Sequence, residues 1–247
     1  CVGTLPVIVD FDNVEAALRS AGPVALAKSL LSLVPPPVLH RYEVADVRLY
    51  GGWRSGGALT TSAQRLVPDI RALSPTTFSF DESGARRNIR VTVDLADKPM
   101  GRSLALEETF VRDRSLRKFR TRRKPWGGCA GQTCGFNGIA GFRSDSNCAT
   151  QNCSIRLGDI FVRDEQKMVD TLMVADIARA ALVDRAPDIV IVSSDTDMWP
   201  GLLLALNAGC HVTHIHTKPG WMTQRHLQRT IDASFGRFYH QTSPQGA

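Results

Sequence analysis

Three groups of carboxylates stand out by type and spacing. They are Asp10-Phe11-Asp12-Asn13, Lys167-Met168-Val169-Asp170 with the later Asp176, and Ser193-Ser194-Asp195-Thr196-Asp197. Carboxylates held close together repel one another unless a cation joins them, and Mg²⁺ or Mn²⁺ prefers oxygen ligands. The first and last groups each follow an apolar, β-branched run, Leu5-Pro6-Val7-Ile8-Val9 and Ile189-Val190-Ile191-Val192. Such runs read as buried strands of a parallel sheet, where ligands sit beyond the carboxyl ends of the strands. Folding is therefore expected to bring the Asp10-Asp12 and Asp195-Asp197 pairs together at one edge of one sheet, in a negatively charged pocket able to hold divalent ions.

The elements that must position these residues follow from pattern. Residues 5 to 10 form a first strand. A helical segment through Ala16, Ala17 and Leu18 breaks at Gly22-Pro23, helix resumes from Val24 to Leu33, and Pro35-Pro36-Pro37 ends it. Val44 to Tyr50 is a second strand running into the glycine-rich stretch 51–57, which is placed to line a cleft. Thr61 to Leu73 reads as helix, and Thr76 to Phe80 and Ile89 to Leu95 as strands. Ile155 to Val162 reads as extended. Asp164 to Arg185 lacks Gly and Pro and reads as one helix, capped by Asp164 and closed by Pro187. Val169, Leu172, Met173, Asp176, Ala180 and Val183 fall on one stripe of it. Asp176 thus lies on an apolar face and must be paired, hydrogen-bonded or liganded. Read alone, Asp170 suits an ion pair with Lys167, and Asp176 a buried carboxylate bonded to backbone. A strand at 188–193, a helix from about Pro200 to Asn207, a final core strand from Cys210 to His216 and a last helix from Gln224 to Phe235 complete the chain. This alternation predicts an α/β fold, a three-layer sandwich around a central, mostly parallel, Rossmann-like sheet.

The 247 residues carry a net charge of +6, and the charge is local. Residues 112 to 124 hold eight Lys or Arg and one Asp, so the tract carries +7 and the rest of the chain −1. A local tract suits contact with a polyanion, or else a solvated loop. Next to it, Cys129, Cys134, Cys148 and Cys153 form Cys-x4-Cys-x13-Cys-x4-Cys amid glycines. Two close pairs suit a structural Zn²⁺ held by four thiolates, with two disulfides as the competing pairing. Four protein ligands would leave that zinc no open position for catalysis. The expected organisation is one domain from 1–111 and 155–247, interrupted by a small basic, zinc-binding insertion at 112–154. No apolar stretch reaches the roughly 20 residues a membrane helix needs, and no secretory leader is visible, so a cytoplasmic protein without a membrane partner is expected.

Taken in order, the motifs resemble those of the NYN domain, a family of PIN-like nucleases. The resemblance rests on Asp10 and Asn13 at the end of the first strand, Tyr50-Gly51 after the second, Lys167-Met168-Val169-Asp170 with Asp176, and the turn Ser193-Ser194-Asp195-Thr196-Asp197-Met198-Trp199-Pro200 followed by Ala208-Gly209. It spans nearly the whole chain outside the insertion. Ser194 stands where the family has Gly, and Met198 where it has an aromatic residue. The resemblance implies a metal-dependent endoribonuclease. Asp10, Asp170, Asp195 and Asp197 would hold Mg²⁺ or Mn²⁺, with Asn13 at the same centre. Asp12, Asp176, Lys167 and Ser193 would support it from behind. Arg117, Lys118, Arg120, Arg122, Arg123, Lys124 and Trp126 would grip single-stranded or structured RNA. Phe119, Trp126 and Phe136 would either stack on bases or form a small core over the zinc. A homodimer or a regulatory protein partner is compatible with such a domain.

Two other readings compete. Asp10-Phe11-Asp12-Asn13-Val14 also fits the opening motif of haloacid dehalogenase-like phosphatases, with Asp10 as nucleophile and Asp12 as acid/base; Asp170 and Asn13 then go unexplained. A non-catalytic RNA-binding module would make the acidic set a relic. His214 and His216 alternate along a strand and read as packed or cleft-lining rather than catalytic.

Overall fold

The computed structural model describes residues 3–82, 85–113, 163–218, 220 and 222–244. The chain divides into two units, one of Cys1–Phe110 with Gln166–Ala247 and one of Val111–Glu165. In the larger unit a seven-stranded sheet runs through the middle. Its first strand, β1 (Thr4–Asp10), is followed by three short helices, α1 (Ala16–Ser20), α2 (Pro23–Leu31) and α3 (Pro36–Leu39). The prolines expected only to stop α2 also open α3, because Pro at the first helical positions gives up no hydrogen bond. Then come β2 (Val44–Tyr50), a small hairpin of β3 (Arg54–Ser55) and β4 (Ala58–Leu59), α4 (Thr61–Leu73), β5 (Thr76–Glu82) and β6 (Ala85–Leu95).

After the insertion the larger unit resumes with α5 (Val169–Leu182), β9 (Asp188–Val192), a 3₁₀ turn (Thr196–Met198), α6 (Trp199–Asn207), β10 (His211–Ile215), α7 (Arg225–Phe235) and β11 (Tyr239–Thr242). Two further strands, β7 (Phe110–Asp113) and β8 (Arg163–Gln166), pair at the base of the insertion. The sheet order is β11-β10-β9-β1-β2-β6-β5. All neighbours run parallel except β5, which joins β6 antiparallel at the edge.

Alternation along the strands splits the core in two. Leu5, Val7 and Val9 of β1 face one cluster with Leu26, Leu30 and Ala63 of α2 and α4. Ile8 faces the other, with Met173 and Ile177 of α5, Leu202 of α6 and Ile231 of α7. The result is a three-layer α/β arrangement. Among the described residues no helix is long and apolar enough to cross a membrane.

Two expectations need correction. The helix expected from Asp164 begins only at Val169, and Asp164 does not cap it. Residues Arg163–Gln166 are strand, and Met168 turns the chain through a left-handed φ of 62° before the helix starts. At its far end the helix stops at Leu182, leaving Val183 64% exposed rather than on the buried stripe. The strand β10 is also not the last, since β11 pairs with it in parallel register. The four cysteines, residues 117–126, Phe136 and the stretch 155–162 lie outside the described residues. The neck of the insertion is closed by the Lys167 N–H donating to the Thr109 carbonyl at 3.0 Å.

Candidate active site

Chain order and sheet order part company at β1. The chain passes from β1 outward through β2 to β6, then returns to the other side of β1 and continues outward through β9, β10 and β11. Such a reversal opens a crevice at the carboxyl edge between the two central strands. Val9 lies opposite Val192, so Asp10, which ends β1, stands opposite Ser193, just beyond β9. The switch point therefore lies beside the first and third acidic groups.

Ser193 joins them. Its Oγ–H donates to Asp10 Oδ2 at 2.8 Å, and the same Oγ accepts the Asp195 N–H at 3.0 Å. Asn13 Nδ2 donates to the same Asp10 oxygen at 2.6 Å. Asp195 in turn caps the 3₁₀ turn, its Oδ1 accepting the Asp197 N–H at 3.0 Å. Asp170 lies in the first turn of α5. It is within electrostatic reach of Asp10, Asp195 and Asp197 alike.

Burial and mutual repulsion show in the proton affinities. Asp10 is pushed up to about 6 by burial, against the hydrogen bonds from Asn13 and Ser193, with the Asp170 charge adding to the rise. Asp170 is raised by burial, then by Asp195 and Asp197. This oxygen-only donor set suits a divalent cation, whose charge would relieve both effects. The ligand cluster is not ready-made, however. Among the described residues no three His, Cys, Asp or Glu side chains are grouped closely enough to hold a metal ion. Residues 10, 170, 195 and 197 thus share one charged edge without yet forming a coordination shell.

The supporting residues divide. Asp12 does not touch the other carboxylates. Its Oδ2 accepts the Gly52 N–H at 3.0 Å and the Gln166 side-chain amide, and Arg19 lies 3.8 Å from its Oδ1. The glycines of this loop are needed for close approach. A Cβ on Gly51 would stand 2.8 Å from Asp12 Oδ2 and from the buried Trp53 ring, and one on Gly52 would stand 2.9 Å from Phe110. Asp176 also makes its bonds elsewhere. It accepts Tyr50 Oη–H at 2.6 Å and the Met100 N–H at 2.8 Å, with Arg48 at 3.5 Å. Its role in this structure is to tie α5 to β2 and to the loop after β6. Lys167 is half-buried just before α5.

Ser194 and Met198 each have a local account. Ser194 Oγ accepts both the N–H and the Oγ1–H of Thr217, at 2.9 and 3.0 Å. Met198 is 2% exposed and fills the apolar layer against α5. Sequence reasoning missed the contacts of Gln166 with Asp12, of Thr217 with Ser194 and of His214 with the Ser193 carbonyl. The spacing of His214 and His216 along β10 puts both on one face and reads as packed or cleft-lining; their ring centroids lie 4.3 Å apart.

Comparison with known proteins gave no significant match to a protein-family model, to a curated protein or to a solved structure.

Proposed function

We propose that the chain is a metal-dependent ribonuclease, an enzyme that hydrolyses RNA phosphodiester bonds at the acidic edge between β1 and β9. The observation that carries this reading is the Ser193 bridge. One hydroxyl ties the Asp10 carboxylate to the Asp195 N–H at the sheet's switch point, with Asp170 within electrostatic reach of both residues. Asp10, Asp170, Asp195 and Asp197 are the residues that would hold Mg²⁺ or Mn²⁺ there. A bound ion of this kind supplies Lewis acidity that activates water and offsets charge building on the phosphate.

The chain's own residues do the rest. Asn13 and Ser193 fix the orientation of the Asp10 carboxylate, so that its free energy of ordering is met before substrate arrives. The capped turn at Asp195 holds Asp197 at the rim. The basic tract 112–124 and the four-cysteine segment, with a structural zinc, would supply the RNA contacts. The resemblance to NYN domains supports the same reading. The phosphatase reading needs Asp12 as a mobile acid/base beside Asp10, but Gly52 and Gln166 hold it.

The deciding experiment is a cleavage assay with Mg²⁺ or Mn²⁺ on single-stranded and structured RNA, run beside Asp10→Asn and Asp195→Asn. Cleavage is expected from the parent chain and not from either variant. Activity surviving both substitutions rejects the assignment. A phosphoaspartate trapped on Asp10 would move it to the phosphatase class.

A further inference from the structure

Ser193 is held from behind as well as in front. Its carbonyl oxygen lies 2.7 Å from His214 Nε2, and its N–H donates to the Ile215 carbonyl at 3.1 Å. A carbonyl only accepts, so His214 Nε2 carries the proton. In a neutral imidazole Nδ1 is then an acceptor, and its partner at 2.8 Å is Tyr239 Oη, which must donate. The Tyr239 oxygen lies 2.7 Å from Thr223 Oγ1 and is left to accept from it.

The hydrogen bonds therefore all have one direction: Thr223 hydroxyl to Tyr239 hydroxyl to His214 Nδ1, then His214 Nε2–H to the Ser193 carbonyl, and Ser193 Oγ–H to Asp10. Ser193 is fully buried, Asp10 1% exposed and His214 3% exposed, so water does not substitute for these partners. His214 also meets the edge of Trp199, with ring centroids 5.9 Å apart, which limits its tilt. Burial lowers its proton affinity to about 3, with the neighbouring His216 adding to the fall, so it stays neutral.

We propose that His214 is a positioning residue for the acidic site: through the Ser193 backbone it sets where the Ser193 hydroxyl meets Asp10 and Asp195, and so how well the carboxylates gather a divalent ion. This rests on the ribonuclease reading for its purpose, but not for its geometry. It also gives β11, which supplies Tyr239, a part in the site.

Two readouts test it on the full chain. The first is the titration midpoint of Asp10 in metal-free protein, followed by carboxyl carbon NMR. The second is Mn²⁺ affinity by calorimetry. His214→Phe keeps a ring and removes both nitrogens. Weakening the Ser193 bond removes part of what favours the ionised carboxylate, so the Asp10 midpoint should rise by about half to one pH unit. Mn²⁺ binding should weaken about tenfold, the usual scale for residues that orient metal ligands. His214→Gln places an amide N–H near the Nε2–H position and should restore most of both. A folded His214→Phe protein with unchanged midpoint and affinity overturns the proposal, and so does a His214→Gln variant as impaired as His214→Phe. If His214→Phe does not fold, Tyr239→Phe carries the test, with a smaller upward move expected and no move overturning it. A parent chain that binds no Mn²⁺ and cleaves no RNA would sink the ribonuclease reading, while the Asp10 titration would still decide the role of His214.

Discussion

Asp10→Asn should make the metal-free protein more stable at neutral pH. The unfolded chain ionises this group near 3.8 and the folded chain near 6. Between those values the folded state binds the extra proton. The stability that protonation lends is full below 3.8 and is lost as pH rises through 6. At pH 7.5 the fold thus carries a charged, buried carboxylate at a cost of up to about 3 kcal/mol, from 1.36 kcal/mol per pH unit over that interval. Asn is neutral and nearly isosteric. It keeps an acceptor for Ser193 and Asn13, but it loses charge-assisted strength and adds a donor, which returns about 1 kcal/mol or more. A net gain of about 1–2 kcal/mol remains, or ~3–6 °C in melting temperature for a unit of this size. The assay is thermal unfolding of parent and variant at pH 7.5 and pH 4, each with chelator and with Mn²⁺. The gain should appear at pH 7.5 with chelator and vanish at pH 4. Mn²⁺ should stabilise the parent and leave the variant unmoved. A variant less stable than its parent at pH 7.5, or one with the same advantage at pH 4, would refute the reasoning.

Other outcomes follow from the same geometry. Because Asp10 and Asp170 are both raised, Mn²⁺ affinity and RNA cleavage should fall as pH drops below about 6, measured by calorimetry and by kcat/KM across pH 5 to 8. Gly51→Ala should cost about 1–3 kcal/mol in denaturant unfolding, since its Cβ would press on Asp12 and on the immovable Trp53 ring. Arg185 ends the turn after α5 with a left-handed φ of 51°, so Arg185→Gly should add about 0.5–1 kcal/mol and leave cleavage unchanged. A chain purified without added metal should carry one zinc, and Cys129→Ser should lose it, as measured by elemental analysis.

The central strands were legible because burial on both faces demands apolar, β-branched runs, and Val7–Val9 and Ile189–Val192 have few other uses. The helix Thr61–Leu73 was read at its observed bounds, and the structure adds the Thr60 side chain as its cap. The start of α5 was not. Arg163–Gln166 is polar and free of Gly and Pro, so it reads as a helix start. Its strand pairing with β7 is made with residues about fifty positions earlier, and no local signal reports that. The edge strand Tyr239–Thr242 was missed for a related reason, being short, half-exposed and polar. At the site, carboxylates at strand ends were visible in the sequence, since strand ends at one sheet edge converge whatever the details. What each carboxylate bonds to was not, because Asp12 turning to Gly52 and Asp176 to Tyr50 depends on rotamers and on distant loops.

The bond between Thr109 and Lys167 places the two ends of the insertion side by side. The points in the larger unit where the chain departs into and returns from a segment of more than fifty residues are therefore joined by a backbone hydrogen bond of that unit itself. No strand of the seven-stranded sheet has to be re-threaded if that segment is shortened, exchanged or removed. The larger unit accordingly works as a socket: a different segment grafted between Thr109 and Lys167 would leave the order and register of its sheet, and the acidic edge at Asp10 and Ser193, as they are.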